Sequence, residues 1–249
     1  MSKFHNFLKE EIFELKLLFR NIPSITISLF IISVVCANLM ANKELLHFKY
    51  VVLDCGFAFS WMMFLCMDVI CKYWGARASI KVSIVALIFN LLVCCIFALL
   101  SKTPGFWGEY YTTNNIDVNV ALNRTFGGSW YVVLGSALAF TVSSVVNAVL
   151  NSFVGRFFKS DNFFCFAVRS YVSTIIGQFV DNFIFAVVVS KIFFGWTWNQ
   201  VFVCSIISAI FELFAEILFS GVGYKVVKNW EKDNIGKEYL EYIENKCKK

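Results

Sequence analysis

The sequence predicts an all-α polytopic membrane protein with six transmembrane helices and both termini cytoplasmic, and three observations carry that prediction. Of its 249 residues, 59% are hydrophobic and 16% charged, against about 25% charged in soluble domains, and the mean hydropathy is +0.69. The apolar residues gather into six runs of about 20, the length needed to cross a hydrocarbon core ~30 Å thick. Lys and Arg are distributed asymmetrically among the links. Seventeen fall on the N-terminus (Lys3, Lys9, Lys16, Arg20), the second link (Lys72, Arg77, Lys81), the fourth link (Arg156, Lys159, Arg169) and the tail (Lys225, Lys228, Lys232, Lys237, Lys246, Lys248, Lys249). Five fall on the other side: Lys43, Lys49, Lys102, Arg124 and Lys191. The positive-inside rule places the richer side in the cytoplasm.

In chain order, residues 1–23 form an amphipathic N-terminal helix, with Phe4, Phe7, Leu8, Ile12, Leu15, Leu18 and Phe19 at helical spacing and Pro23 as its stop. Residues 24–224 form the six-span domain. The first span runs from Ser24 to Met40 and ends in small and amide residues around Asn38, which suit close packing and hydrogen bonding. A short polar link, Lys43 to Lys49, leads to a second span expected from Val51 to Cys71. This span carries Asp68, with Lys72 four residues on, a spacing that lets the two pair on one helix face. The third span, Ser79 to Leu100, is closed by Pro104. The stretch from Ser101 to Ser129 is rich in Trp, Tyr and Asn, and reads equally as a lid or as an interfacial aromatic belt. The fourth span, Trp130 to Phe153, places Ser143, Ser144, Asn147 and Asn151 along one side. The sixth, Gln200 to Gly223, carries Glu212 and Glu216 one turn apart. Residues 225–249 read as a charged cytoplasmic C-terminal helix.

The fifth span is the informative one. At ~100° per residue, Arg169, Ser170, Ser173, Thr174, Gly177, Gln178, Asp181 and Asn182 occupy one side, and Val172, Ile175, Ile176, Phe179, Val180 and Phe183 the other. An ionisable group near mid-bilayer costs about 3 kcal/mol on insertion scales, so Asp181 should face protein or water. Ser143-Ser144-Val145-Val146-Asn147 and Gly177-Gln178-Phe179-Val180-Asp181 share a polar pair with an amide or carboxylate three positions on, a hint of internal repetition.

No hydrolytic, phosphate-binding or metal motif accompanies this pattern. His5 and His47 lie in separate polar segments, and the nine cysteines read as free thiols. What remains is a ring of intramembrane polar groups: Asn38, Asp68, Asn90, Asn147, Ser173, Thr174, Gln178, Asp181, Glu212 and Glu216. For any one Asn, Ser or Thr, helix-to-helix hydrogen bonding is the better reading; for Asp181 and Glu212 a solute site is. Trp61, Phe179 and Phe211 are the aromatics expected to stack on a flat ring.

Ala37-Asn38 with Ala41-Asn42-Lys43, Asp68 with Tyr73-Trp74-Gly75, and Arg169-x-x-x-Ser173-Thr174-x-x-Gly177-Gln178-x-x-Asp181-x-x-Ile184-Phe185 resemble the queuosine precursor transporters, a family also described as vitamin uptake transporters. The resemblance spans Asn38 to Tyr224. It implies a multi-pass protein of the bacterial inner membrane that imports 7-deazapurines (preQ0, preQ1, queuine) for tRNA queuosine salvage as a solitary carrier. Asn38, Asp68, Ser173, Thr174, Gln178, Asp181 and Glu212 would hold the substrate. The expected partners are that substrate, the lipid bilayer and a second copy of the chain in a homodimer, with no nucleic acid, no cofactor, no metal and no catalytic residues. Two charges depart from the family pattern: Lys72 stands where an acidic residue is common, and Glu212 where Lys is common. Either the two form an ion pair of reversed polarity, or Glu212 meets a cationic ligand group directly. An alternative reading is the substrate-binding S-component of an energy-coupling-factor transporter, which requires coupling subunits. An intramembrane enzyme using Asp181 and Glu212 as acid and base is a weaker one.

Overall fold

Helices built from the apolar runs account for nearly all of the architecture. The computed structural model describes residues 2–41, 43–48, 51–128, 130–158, 162–193 and 195–247. Asn42 of the first-span motif, and Lys49, Lys159, Lys248 and Lys249 of the charge count, lie outside them.

Helix α1 (Ser2–Asn21) ends just before Pro23, and α2 (Ser24–Met40) leaves it at a bend of 106°. Proline lacks the N–H that would continue the first helix. A two-stranded antiparallel hairpin follows, β1 (Glu44–His47) with β2 (Val52–Asp54). The second apolar helix, α3 (Phe57–Trp74), therefore begins six residues later than expected. Val51-Val52-Leu53 is too short a run to separate strand from helix by periodicity, and Gly56 interrupts it.

Gly75, at φ +89°, is the entire turn between α3 and α4 (Ala76–Leu100), a conformation that favours glycine. The aromatic stretch forms two short helices, α5 (Gly108–Thr113) and α6 (Ile116–Asn123), and a π-helical segment (Arg124–Gly128). Trp107 stacks on Phe126 and donates its indole N–H to Asn123 Oδ1 at 2.7 Å. Then come α7 (Trp130–Phe157), α8 (Phe163–Phe185) with a π-helical continuation (Ala186–Lys191), α9 (Trp198–Lys232) and α10 (Lys237–Cys247). A Thr197–Gln200 capping box starts α9, which continues to Lys232, well past the expected end of the last span.

Among the described residues, four helical stretches are long and apolar enough to cross a membrane, and a fifth is added when the bent pair α1–α2 is taken as one span. Central to the bundle is α3, which packs on α2, α4, α7 and α9, while α8 lies between α7 and α9. Phe30, Phe64, Met67, Ile70, Val82 and Phe140 fill the space between them. Gly177 lets α8 approach closely: a Cβ there would lie 2.9 Å from Phe64 and 3.1 Å from Asn147 Cβ.

Both described ends of the chain meet at one end of the bundle. Glu14 of α1, 0% exposed, pairs with Lys81 Nζ at 2.7 Å, Arg77 Nε at 3.0 Å and Lys246 Nζ at 3.0 Å. Tyr239 of α10 packs against it, and Arg20 bonds Glu238. Burial pushes the Glu14 carboxyl up, but these cations outweigh it and hold the carboxyl below its ordinary value. The hairpin and the loop before α9 lie at the opposite end, where the Val52 N–H meets Cys204 Sγ.

Candidate functional site

The polar groups inside the bundle sort into two levels. The level nearer the hairpin is open. Asn38, Ser60, Ser136, Asp181, Asn182, Ser208 and Glu212 line a pocket open on one side, whose apolar walls include Met63, Phe140 and Phe185. A second cavity continues it toward the hairpin end, sharing Ala41, Asn182, Phe185 and Ser208 and reaching Glu44, Val52 and Trp196.

Helix positions bring these groups together. Asp181 and Asn182 are adjacent on α8 and diverge by ~100°. Asp181 Oδ1 accepts from Ser143 Oγ of α7 at 2.6 Å. Asn182 Nδ2 donates to Glu212 Oε2 of α9 at 2.9 Å, while Ser60 Oγ of α3 donates to Glu212 Oε1 at 2.5 Å. Asn38 of α2 donates Nδ2 to the Val34 carbonyl at 3.0 Å, and its Oδ1 accepts from Ser136 Oγ. Two carboxylates, two amides and several hydroxyls thus converge on one space bounded by aromatic rings. Such a set suits a flat, polar molecule presenting several N–H donors.

The second level, toward the chain ends, is sealed. Asp68 of α3, 0% exposed, accepts from Asn147 Nδ2 at 2.8 Å, Ser170 Oγ at 2.5 Å, Thr174 Oγ1 at 3.1 Å and Ser173 Oγ at 3.4 Å. Ser170 also bonds Glu216 Oε1. Asn151 extends the network by donating to Ser173 at 3.3 Å and accepting from Arg169 Nη2 at 2.9 Å. Gln178 stands between the two levels on α8. It is fully buried, and neither amide atom has a hydrogen-bond partner.

Of the residues expected to hold substrate, Asn38, Asp181 and Glu212 line the pocket. Asp68, Ser173 and Thr174 do not: their oxygens are spent on one another across α3 and α8. Gln178 lies buried just beneath the pocket rather than on its wall. The expected stacking aromatics point elsewhere. Trp61 stacks on Phe219 at 4.3 Å in an apolar groove on the outside of the bundle, Phe179 stacks on Phe183, and Phe211 is 50% exposed. The aromatic rings that do line the pocket are those of Phe140 and Phe185. The reversed Lys72–Glu212 pair is also corrected. Glu212 is held at Ser60, and Lys72 is twelve residues further along α3, ~18 Å at 1.5 Å per residue. That separation exceeds the reach of both side chains. Asp68 likewise turns to α7 and α8 and not to Lys72. Residues 101–128 line neither cavity.

Sequence reasoning missed Ser60, Ser136, Asn182 and Ser208. Asn182 carried a signal, since it sits on the polar side of the fifth span. The serines carried none, because an intramembrane serine can bond its own helix.

Residues 54–226, more than two thirds of the chain, match the model of a family described as putative vitamin uptake transporter. No curated protein and no solved structure matches the chain.

Proposed function

The chain belongs to this vitamin uptake transporter family, and we propose that its substrates are queuosine precursors, 7-deazapurines such as preQ0, preQ1 and queuine. Import runs from the hairpin side to the side bearing the chain ends, in a bacterial inner membrane. Six spans are proposed, with α2 and α3 counted beside the four apolar stretches and α1 outside the membrane. The meeting of α1 with α10 supports an even number of crossings, and the Lys and Arg asymmetry supports a cytoplasmic location for that end.

The observation that carries the substrate reading is the pocket in which Asp181 and Glu212 converge between Phe140 and Phe185. A deazaguanine offers N1–H and its 2-amino group as two parallel donors, which a carboxylate accepts as a bidentate pair. Asp181, half-buried at the wall, takes that role. Glu212 remains for a cationic aminomethyl group, as in preQ1, and the amides of Asn38 and Asn182 for the ring carbonyl. Stacking on an aromatic wall adds about 1–3 kcal/mol by analogy with base stacking.

Binding of preQ0, preQ1, queuine, guanine and biotin to the purified protein tests this reading. Deazapurines should bind and biotin should not; preference for biotin, or equal affinity throughout, overturns it. Reconstituted alone, the protein should move preQ1 across the bilayer, whereas binding without movement identifies an S-component that needs coupling subunits.

A further inference from the structure

The pocket chemistry leaves the sealed level unused, and one contact there has a definite chemical requirement. Ser170 Oγ lies 2.5 Å from Asp68 Oδ2 and also within bonding reach of Glu216 Oε1. A serine hydroxyl carries a single hydrogen. With both acids ionised, Ser170 could donate to only one of them, and the other contact would set oxygen lone pairs against each other in a region closed to water. One proton on the acid pair removes the conflict. The protonated acid donates to Ser170 Oγ, and Ser170 donates to the ionised partner.

The surroundings agree with that count. Among the described residues, no Lys or Arg forms an ion pair with Asp68 or Glu216. From α3, Cys71 and the half-buried Lys72 lie one turn from Asp68. From α7 the network receives only the amides Asn147 and Asn151. From α8 comes Arg169, whose Nη2 is bonded to Asn151. From α9, Glu212 sits one turn above Glu216, bonded to Ser60 and Asn182.

A second observation points to a route between this pair and the pocket. Glu216 Oε2, Asn147 Oδ1 and both amide atoms of Gln178 are buried without a hydrogen-bond partner, as are Arg169 Nε and, away from this network, both amide atoms of Asn90. Gln178 is one turn from Thr174, which bonds Asp68, and one turn from Asn182, which bonds Glu212. It stands about 6 Å from each along the helix axis. Its unpaired atoms therefore lie on the line from the open carboxylates to the sealed ones.

We propose that Asp68, Ser170 and Glu216 form a proton-binding site that couples substrate uptake to the proton gradient, with Gln178 as the polar bridge to the pocket. The coupling rests on the transport reading of that pocket. In each cycle one proton enters through the pocket, forms an O–H bond on the acid pair, and leaves toward the side bearing the chain ends when that bond breaks. No other reactant is consumed. Asp68 thereby acts on the coupling proton and not on the substrate.

Two measurements test the proposal. Infrared spectroscopy of the purified protein at neutral pH should show a protonated-carboxyl band that Glu216→Gln removes and Ser170→Ala shifts in frequency. In proteoliposomes with the membrane voltage clamped at zero, an inward gradient of one pH unit should drive about tenfold accumulation of preQ1 at one proton per substrate. Glu216→Gln should retain preQ1 counterflow exchange and lose that accumulation. A band unchanged in both variants, or gradient-driven accumulation by Glu216→Gln equal to wild type, overturns the proposal. Absence of counterflow in the wild type would instead overturn the transport reading, and the infrared band would then decide the proton site by itself.

Discussion

Glu212 and Glu216 lie one turn apart on α9 and meet opposite surroundings. Glu212 borders a cavity that continues toward the hairpin end, and its oxygens are held by Ser60 and Asn182. Glu216 is 0% exposed, shares Ser170 with a second acid, and leaves one oxygen unpaired. Both are intramembrane carboxylates at the same helical spacing, so residue type and periodicity do not separate them. The separation comes from what α8 places opposite: the Asp181–Asn182 pair at one level and the Ser170–Thr174 hydroxyls at the other. A site that must release a solute needs access, whereas a site that stores a proton needs shielding.

The comparison is most severely tested at the open level. Asp181→Asn removes the charge from a bidentate acceptor. It should lower preQ1 affinity and uptake by about 100-fold, in line with the ~3 kcal/mol upper range for hydrogen bonds to charged groups. Labelled uptake and an unchanged elution profile check it; normal uptake would take Asp181 out of the site. At the sealed level the same kind of change should act on stability. Asn147→Ala leaves Asp68 Oδ1 short of its closest donor and should destabilise the protein by about 2 kcal/mol, read by thermal unfolding in detergent, with ligand affinity changed less than about threefold. If Asn147→Ala abolished binding while unfolding stayed unchanged, the two levels would not be distinct.

A smaller effect concerns Lys72. Combining Lys72→Glu with Glu212→Lys should leave uptake as impaired as Glu212→Lys alone, because the two side chains occupy different depths. Rescue by the double variant would restore the pairing expected from the family pattern.

The mildest prediction lies outside the bundle interior. Glu14 is also a fully buried carboxylate, yet Lys81, Lys246 and Arg77 surround it and hold its carboxyl below the ordinary value despite burial. A depressed carboxylate contributes stability that is complete above its unfolded value, about 4.5, and is lost as pH falls through the lower folded value. Docking of α10 on α1 should therefore hold at neutral pH and loosen only in acid, as seen by protease cleavage near Asp233. Glu14→Gln should weaken docking at neutral pH and flatten that acid response.

Sequence alone determined the membrane character, the existence and order of the apolar helices and the polar side of the fifth span, and it singled out Asn38, Asp181 and Glu212, which line the pocket. These are local or one-dimensional properties. A bilayer demands runs of a set length, and a carboxylate within such a run must turn inward. Tertiary structure decided the rest. The serine and amide partners of Glu212 come from α3 and α8, and whether they meet depends on the rotation and stagger of each helix, governed by close contacts such as Gly177 against Phe64 and Asn147. The sorting of Asp68, Ser173 and Thr174 away from the pocket has the same origin. Aromatics gave no usable signal because an aromatic ring is equally favourable against lipid or protein. Trp61 and Phe211 could therefore face outward while Phe140 and Phe185 lined the pocket, and only the packing of the bundle distinguishes them.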